Sequence, residues 1–156
     1  MTAATRSVGN DVDEYTGRYE IAGTATFTGC VVQSDVSWAA PDGTGALLGV
    51  IARYTDTSNW LRATLAPGSG TASLEVKLCV ARAVESLGYV TVPASADAFY
   101  SLRLQVDASG LWSAWAFAAG SAPGAPSVTG YHQVLATGGA LASGKAGIYD
   151  AGFASD

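Results

Sequence analysis

A chain of 156 residues with 49% hydrophobic side chains holds enough apolar material for one folded core, and is too short for two comfortable domains. Its net charge of −5, with 8 Lys and Arg against 13 Asp and Glu, leaves no basic stripe for a phosphate backbone, so nucleic acid is excluded as a natural partner. No stretch approaches the roughly 20 apolar residues of a membrane-spanning helix, and membrane insertion is not expected.

In chain order, residues 1–15 read as a leader. Met-Thr-Ala-Ala-Thr-Arg lacks the apolar run of a secretory signal. Asp11, Asp13 and Glu14 then gather hard oxygen ligands of the kind that hold calcium on sandwich loops, but without an Asp-x-Asp-x-Asp-Gly frame, so a solvated acidic leader is the plainer reading. No cofactor is expected, calcium being the one candidate. The stretch from Thr24 to Trp38 is rich in Thr, Val and aromatics, as strands are. After a Pro41-Asp-Gly43 turn, Gly49 to Leu65 reads as two strands joined at Asp56-Thr-Ser-Asn59. Alternation there sets Trp60 and Arg62 on the face opposite Leu61, Ala63 and Leu65. With Leu61 inward, Trp60 and Arg62 form an outer patch with Arg53 or Tyr54 across the hairpin. Such a patch suits either a glycan or a structural cation–π pair.

Pro67-Gly-Ser-Gly70 turns the chain into Ser73 to Val80, where Leu74, Val76, Leu78 and Val80 share one face and Glu75 and Lys77 the other. Glu85 falls in a turn-like region. Tyr100 to Asp107 alternates again through Leu102, Leu104 and Val106, and Asp107-Ala-Ser-Gly110 leads into Leu111 to Phe117. That last run carries Trp112, Ala114 and Ala116 on one side and Ser113, Trp115 and Phe117 on the other. Both sides cannot enter one two-layer core, so either Trp112 or Trp115 lies on an outer face. An outer ring flanked by Arg or Asn donors suits sugar stacking; the alternative packs it under the following loop or a neighbouring domain. Ala118 to Gly130, with Pro123 and Pro126, reads as a surface loop, and Gly138-Gly139 marks a further turn.

Catalytic patterns are missing. His132, the sole histidine, stands in Gly-Tyr-His-Gln-Val with no Gly-x-Ser-x-Gly elbow in the chain. No strand carries the alternating carboxylates that a sandwich glucanase places across a glycosidic bond. Cys30 and Cys79 make no disulfide scaffold, and both sit in strand-like runs where a lone Cys acts as a small apolar residue; nothing in their spacing demands a bridge. Even strand spacing without helical interludes argues for a single all-β domain, sandwich or barrel.

The hairpin at 49–63, the strand Tyr100-Ser-Leu-Arg-Leu-Gln-Val, the strand from Leu111 and the late run Leu141-Ala-Ser-Gly-Lys-Ala-Gly-Ile-Tyr-Asp150 together resemble concanavalin A-like lectin/glucanase (laminin-G-like) sandwiches. The phrasing is most similar to modules of minor tail, tail-tip and fibre proteins of tailed bacteriophages. The resemblance runs from about residue 25 to residue 153 and implies an antiparallel two-sheet jelly roll. It also implies a non-enzymatic virion tail component, extracellular after assembly, whose partners are host-surface glycan or sister tail subunits. In that role Trp60 or Trp115 would stack on sugar, with Tyr54 beside them, while Arg53, Asn59, Arg62 and Arg103 would donate hydrogen bonds. Two rival roles are an architectural domain that oligomerises through its outer aromatics, and the binding module of a carbohydrate-active enzyme. Relatives follow the Gly-Ile-Tyr-Asp strand with a last strand that is not found after Asp150 here. The expectation is therefore either a fragment or a vacant sheet position that another chain fills.

Overall fold

The computed structural model describes residues 5–9, 17–38 and 47–151. Eleven strands run in chain order: β1 (Thr5–Gly9), β2 (Gly17–Ile21), β3 (Cys30–Val36), β4 (Leu47–Asp56), β5 (Asn59–Pro67), β6 (Thr71–Val80), β7 (Ala83–Pro93), β8 (Tyr100–Val106), β9 (Leu111–Ala118), β10 (Val128–Tyr131) and β11 (Lys145–Ala151). They form a seven-stranded sheet, β1-β2-β11-β4-β5-β6-β7, and a four-stranded sheet, β10-β9-β8-β3, with antiparallel pairing throughout. The expected two-sheet sandwich is what the chain adopts. The only helical turn among the described residues is a short 3-10 segment at Gln133–Leu135.

Alternation builds the core. Leu61, Ala63 and Leu65 of β5, Leu74, Val76 and Leu78 of β6, and Leu102, Leu104 and Val106 of β8 all turn inward and are buried. Trp112 and Ala114 of β9 join them, so Trp112 is the inner ring and Trp115 the outer one. The indole of Trp112 lies on the backbone of β10, where a Cβ at Gly130 would stand 2.5 Å from Cζ2. Only glycine admits so close an approach.

Three local expectations change. Glu85 lies within β7, opposite Leu78; a bulge at Leu87, across from Val76 and Lys77, breaks the alternation that would have marked the strand. The loop from Ala118 ends before Val128, since β10 pairs with β9 through residue 131. The stretch from Thr24 becomes a ladder only at Cys30; upstream of that it crosses the end of the sandwich, with a single bridge from Phe27 to Gly144. Cys30 and Cys79 are free. Cys30 packs on the core between the sheets and Cys79 on the outer side of the seven-stranded sheet, so no bridge joins them. Burial pushes the Cys30 thiol up, and nearby Arg53 draws it part of the way back.

The layers are unequal in width. β10 lies over β7, β9 over β6, β8 over β4 and β5, and β3 over β4 and β11. Among the described residues β3 pairs with β8 alone, and no strand of the smaller sheet covers β2.

Candidate functional site on the outer face of the four-stranded sheet

The register of β3, β8 and β9 assembles residues far apart in the chain. Gln33 is opposite Arg103, and Arg103 is opposite Trp115, all on the outward side. The row beside it holds Asp35, Ser101 and Phe117; the row on its other side holds Val31, Gln105, Ser113 and, from β10, Thr129. The guanidinium carbon of Arg103 stands 5.2 Å from the Trp115 ring centroid, within cation–π range. Gln33, Asp35 and Gln105 are exposed, while Arg103, Trp115 and Phe117 are half-buried. Ser101 donates its hydroxyl to Asp35 Oδ1 at 2.5 Å, and the hydroxyls of Ser113 and Thr129 meet at 3.0 Å. The face therefore combines one partly open indole with amide and guanidinium donors and a carboxylate acceptor.

Trp115 also serves the fold. Its Nε1 donates to the Gly124 carbonyl at 3.1 Å, so the Pro-containing loop anchors the indole from one side. That contact fixes the ring orientation and leaves part of the side chain open.

The hairpin residues are placed differently. Trp60, Arg62 and Arg53 have no exposed surface, so they offer no face to an external sugar. The expected outer patch of Trp60 and Arg62 does form, but it lies inside a second apolar cluster with Ile21, Ile51, Cys79 and Tyr149 on the outer side of the seven-stranded sheet. Arg62 is held 4.3 Å from the Trp60 ring centroid and 4.1 Å from that of Tyr149. This is the structural cation–π alternative. Tyr54 packs half-buried against the same cluster. Asn59 is used within the turn: its Nδ2 donates to the Asp56 carboxylate at 3.0 and 3.1 Å, and its Oδ1 accepts from the Ala81 amide at 3.0 Å.

Arg53 leaves the patch because β4 bulges between Ala52 and Asp56, with Arg53 itself at φ 54°. The bulge re-aims the side chain toward one end of the sandwich. There its guanidinium donates to the carbonyls of Phe27, Thr28, Asp107 and Ala142. Burial lowers the guanidinium pKa, and the charges of Cys30 and Asp107 oppose that shift. His132 is likewise structural: Nδ1 accepts from the Val134 amide at 3.2 Å, and Nε2 lies 3.4 Å from Glu85 Oε2.

Of the seven residues singled out from sequence, the structure brings Arg103 and Trp115 together on an open face and commits Arg53, Asn59, Trp60 and Arg62 to internal contacts. Gln33, Asp35, Gln105 and Phe117 were missed. Their signal was outward parity on strands that pair with Arg103 and Trp115, which only the register reveals. Asp11, Asp13 and Glu14 lie outside the described residues; among those described, no three His, Cys, Asp or Glu side chains gather as metal ligands would.

No protein-family model matches the chain, and a search of curated proteins finds no match. Among solved structures, the carbohydrate-binding module CBM66 from Bacillus subtilis is similar, with a TM-score of 0.67 at 12% identity over 96% of this chain and 88% of that chain. At that identity the likeness bears on the fold, a β-sandwich in both.

Proposed function

We propose that this chain is a non-catalytic carbohydrate-binding module whose sugar contacts lie on the outer face of the four-stranded sheet. The observation that carries this reading is the Gln33–Arg103–Trp115 row, an indole with Arg103 beside it and Gln33 beyond in one cross-strand register. A pyranose ring would lay its C–H face on the open part of Trp115, while Arg103 and Gln33 donate to its hydroxyls and Asp35 accepts. The similar solved structure is itself a carbohydrate-binding module, which favours this use of the fold without establishing it. The resemblance of the 49–63 hairpin and the 141–150 strand to phage tail modules supplies the setting: a virion tail, with host-surface glycan as the target.

A glycan array on the intact chain, followed by titration of the best ligand, tests the reading. Trp115→Ala should weaken binding about tenfold, the equivalent of roughly 1.4 kcal/mol of stacking. Gln33→Ala, at an exposed position, should weaken it severalfold with no change in melting temperature. Absence of glycan binding, or binding indifferent to Trp115, Arg103 and Gln33 alike, refutes the site. Oligomers that dissociate on Trp115→Ala would instead favour an architectural role, and polysaccharide turnover that survives repurification would favour an enzyme.

A further inference from the structure

The outer face of the four-stranded sheet continues past Trp115. Four positions earlier on β9, Leu111 shares its outward parity, and the register of β10 sets Tyr131 directly opposite Leu111. Both side chains are large and open, Leu111 at 53% and Tyr131 at 58% exposure. The backbone that carries them is well tied. Trp112 lies on Gly130 from the inner side, and the His132 amide donates to the Gly110 carbonyl at 3.0 Å, which continues the ladder one step past Tyr131. The strand that presents the Tyr131 ring is therefore fixed before any ligand arrives.

At roughly 3.3 Å per strand residue, Leu111 and Tyr131 stand about 13 Å from Trp115 along the sheet. A single sugar ring stacked on Trp115 cannot reach them. The strip between carries the row Gln105–Ser113–Thr129, whose polar groups are all neutral. Thr129 donates its one hydroxyl proton to the Trp112 carbonyl at 2.8 Å, so Ser113 is the donor in the 3.0 Å contact between the two hydroxyls. Both protons are used within the sheet, and lone pairs on Ser113 Oγ remain to accept. Beside them exposed Gln105 supplies amide donors and a further acceptor. The face thus runs from an indole, across a band of hydroxyl and amide groups, to a phenol ring. The polar band interrupts the continuous apolar centre that a protein interface needs. A glycan chain alternates in the same way, each ring offering a C–H face to stack and hydroxyls at its rim.

We infer that this face takes a linear, neutral oligosaccharide laid along β9, with Tyr131 and Leu111 as a second stacking station and Gln105 and Ser113 binding hydroxyls between the two. Such a chain depends on the sugar site proposed at Trp115 and extends it: the face reads consecutive sugars and not a single unit.

The test titrates the full chain with linear oligosaccharides of glucose, galactose, mannose and N-acetylglucosamine, each from monosaccharide to hexasaccharide. In a series that binds, affinity should climb about tenfold from disaccharide to hexasaccharide. Tyr131→Ala should remove most of that climb, weakening the hexasaccharide about tenfold and the disaccharide far less. Its melting temperature should change little, since the position is exposed. Tyr131→Phe keeps the ring and should keep most of the affinity, whereas Gln105→Ala should weaken the hexasaccharide severalfold. Trp115→Ala should weaken every length that binds, which separates the two stations. Affinity that is flat beyond the disaccharide overturns the second station and leaves the sugar reading standing. So does a hexasaccharide that is indifferent to Tyr131→Ala while Trp115→Ala still weakens it. Binding of no series, or binding indifferent to Trp115→Ala, overturns both. A change of oligomeric state on Tyr131→Ala, read by sedimentation velocity, would make the ring a protein contact and overturn the second station as well.

Discussion

Replacing Arg53 with methionine keeps an apolar stem of similar length and deletes a guanidinium that has no exposed surface. The group donates to four carbonyls from three segments: Phe27 and Thr28 before β3, Asp107 after β8, and Ala142 before β11. One side chain thus ties both sheets at one end. A buried carbonyl stripped of its donor costs roughly 1–3 kcal/mol, with water entry recovering part. Four carbonyls at the low end of that range give an expected loss of about 4 kcal/mol. At about 2–4 °C per kcal/mol for a domain of this size, Arg53→Met should melt about 8–16 °C lower.

Arg53→Lys keeps a cation without the planar fork, so it should recover part of the loss and not all of it. The backbone is separable: at φ 54°, Arg53→Gly should be about 1 kcal/mol more stable than Arg53→Ala. Urea titration gives the free energies, and amide exchange near Gly29 and Ser109 shows whether this end of the sandwich opens first. A loss below about 1 kcal/mol for Arg53→Met would mean that these carbonyls find other donors, and the latch would be refuted.

Asp107 gives a pH signature. The Ser109 hydroxyl, followed by the backbone amides of Ser109, Leu111 and Gly110, holds its carboxyl below the ordinary carboxylate range. Its stabilisation is therefore complete above the unfolded value of about 3.9 and lost as pH falls through the lower folded value. Asp107→Asn should melt below the parent at neutral pH and converge with it in strong acid; a gap that persists in acid would contradict this. Gly130→Ala sets a methyl against the Trp112 ring and should cost about 1–3 kcal/mol in urea titration, whereas a neutral outcome would show that the ring has room to move. Trp60→Ala should cost about 3–5 kcal/mol of stability and leave glycan affinity per folded molecule unchanged, as measured by titration at low temperature.

The sandwich was legible wherever one strand face is buried and the other wet. Ser73 to Val80 and Tyr100 to Val106 show that alternation, and both are strands with the expected faces inward. β7 was not legible: it is an edge strand with a bulge of its own at Leu87, so neither parity of its residues is consistently buried. β10 was hidden for another reason. It is four residues long and follows a loop with two prolines, and its glycine reads as loop until Trp112 is seen lying on it. The proposed sugar face was half legible. Arg103 and Trp115 were candidates, with the choice between Trp112 and Trp115 as the outer ring left open, but Gln33 is an ordinary polar residue on its own strand and acquires meaning only as the neighbour of Arg103.

Two arginine–tryptophan pairs show the limit of such reading most clearly. Arg62 with Trp60, and Arg103 with Trp115, both sit on sheet faces turned away from the shared core. Period-two alternation reports which residues share a side of a sheet: it set Trp60 with Arg62 opposite Leu61, and left open whether Trp112 or Trp115 was the outer ring. It does not report what lies over that side. On the seven-stranded sheet Ile21, Ile51, Cys79 and Tyr149 gather around the first pair, so its cation–π contact is desolvated and acts in stability. On the four-stranded sheet the second pair is flanked by exposed Gln33, Asp35 and Gln105, and a loop carbonyl, that of Gly124, accepts from its indole nitrogen. The same two residue types therefore take different roles according to coverage, a property of distant segments that no window around either tryptophan contains. Ile148 follows the same rule: it shares the inner face with buried Val50, and its exposure reflects which described strands lie over it and not the strand that carries it.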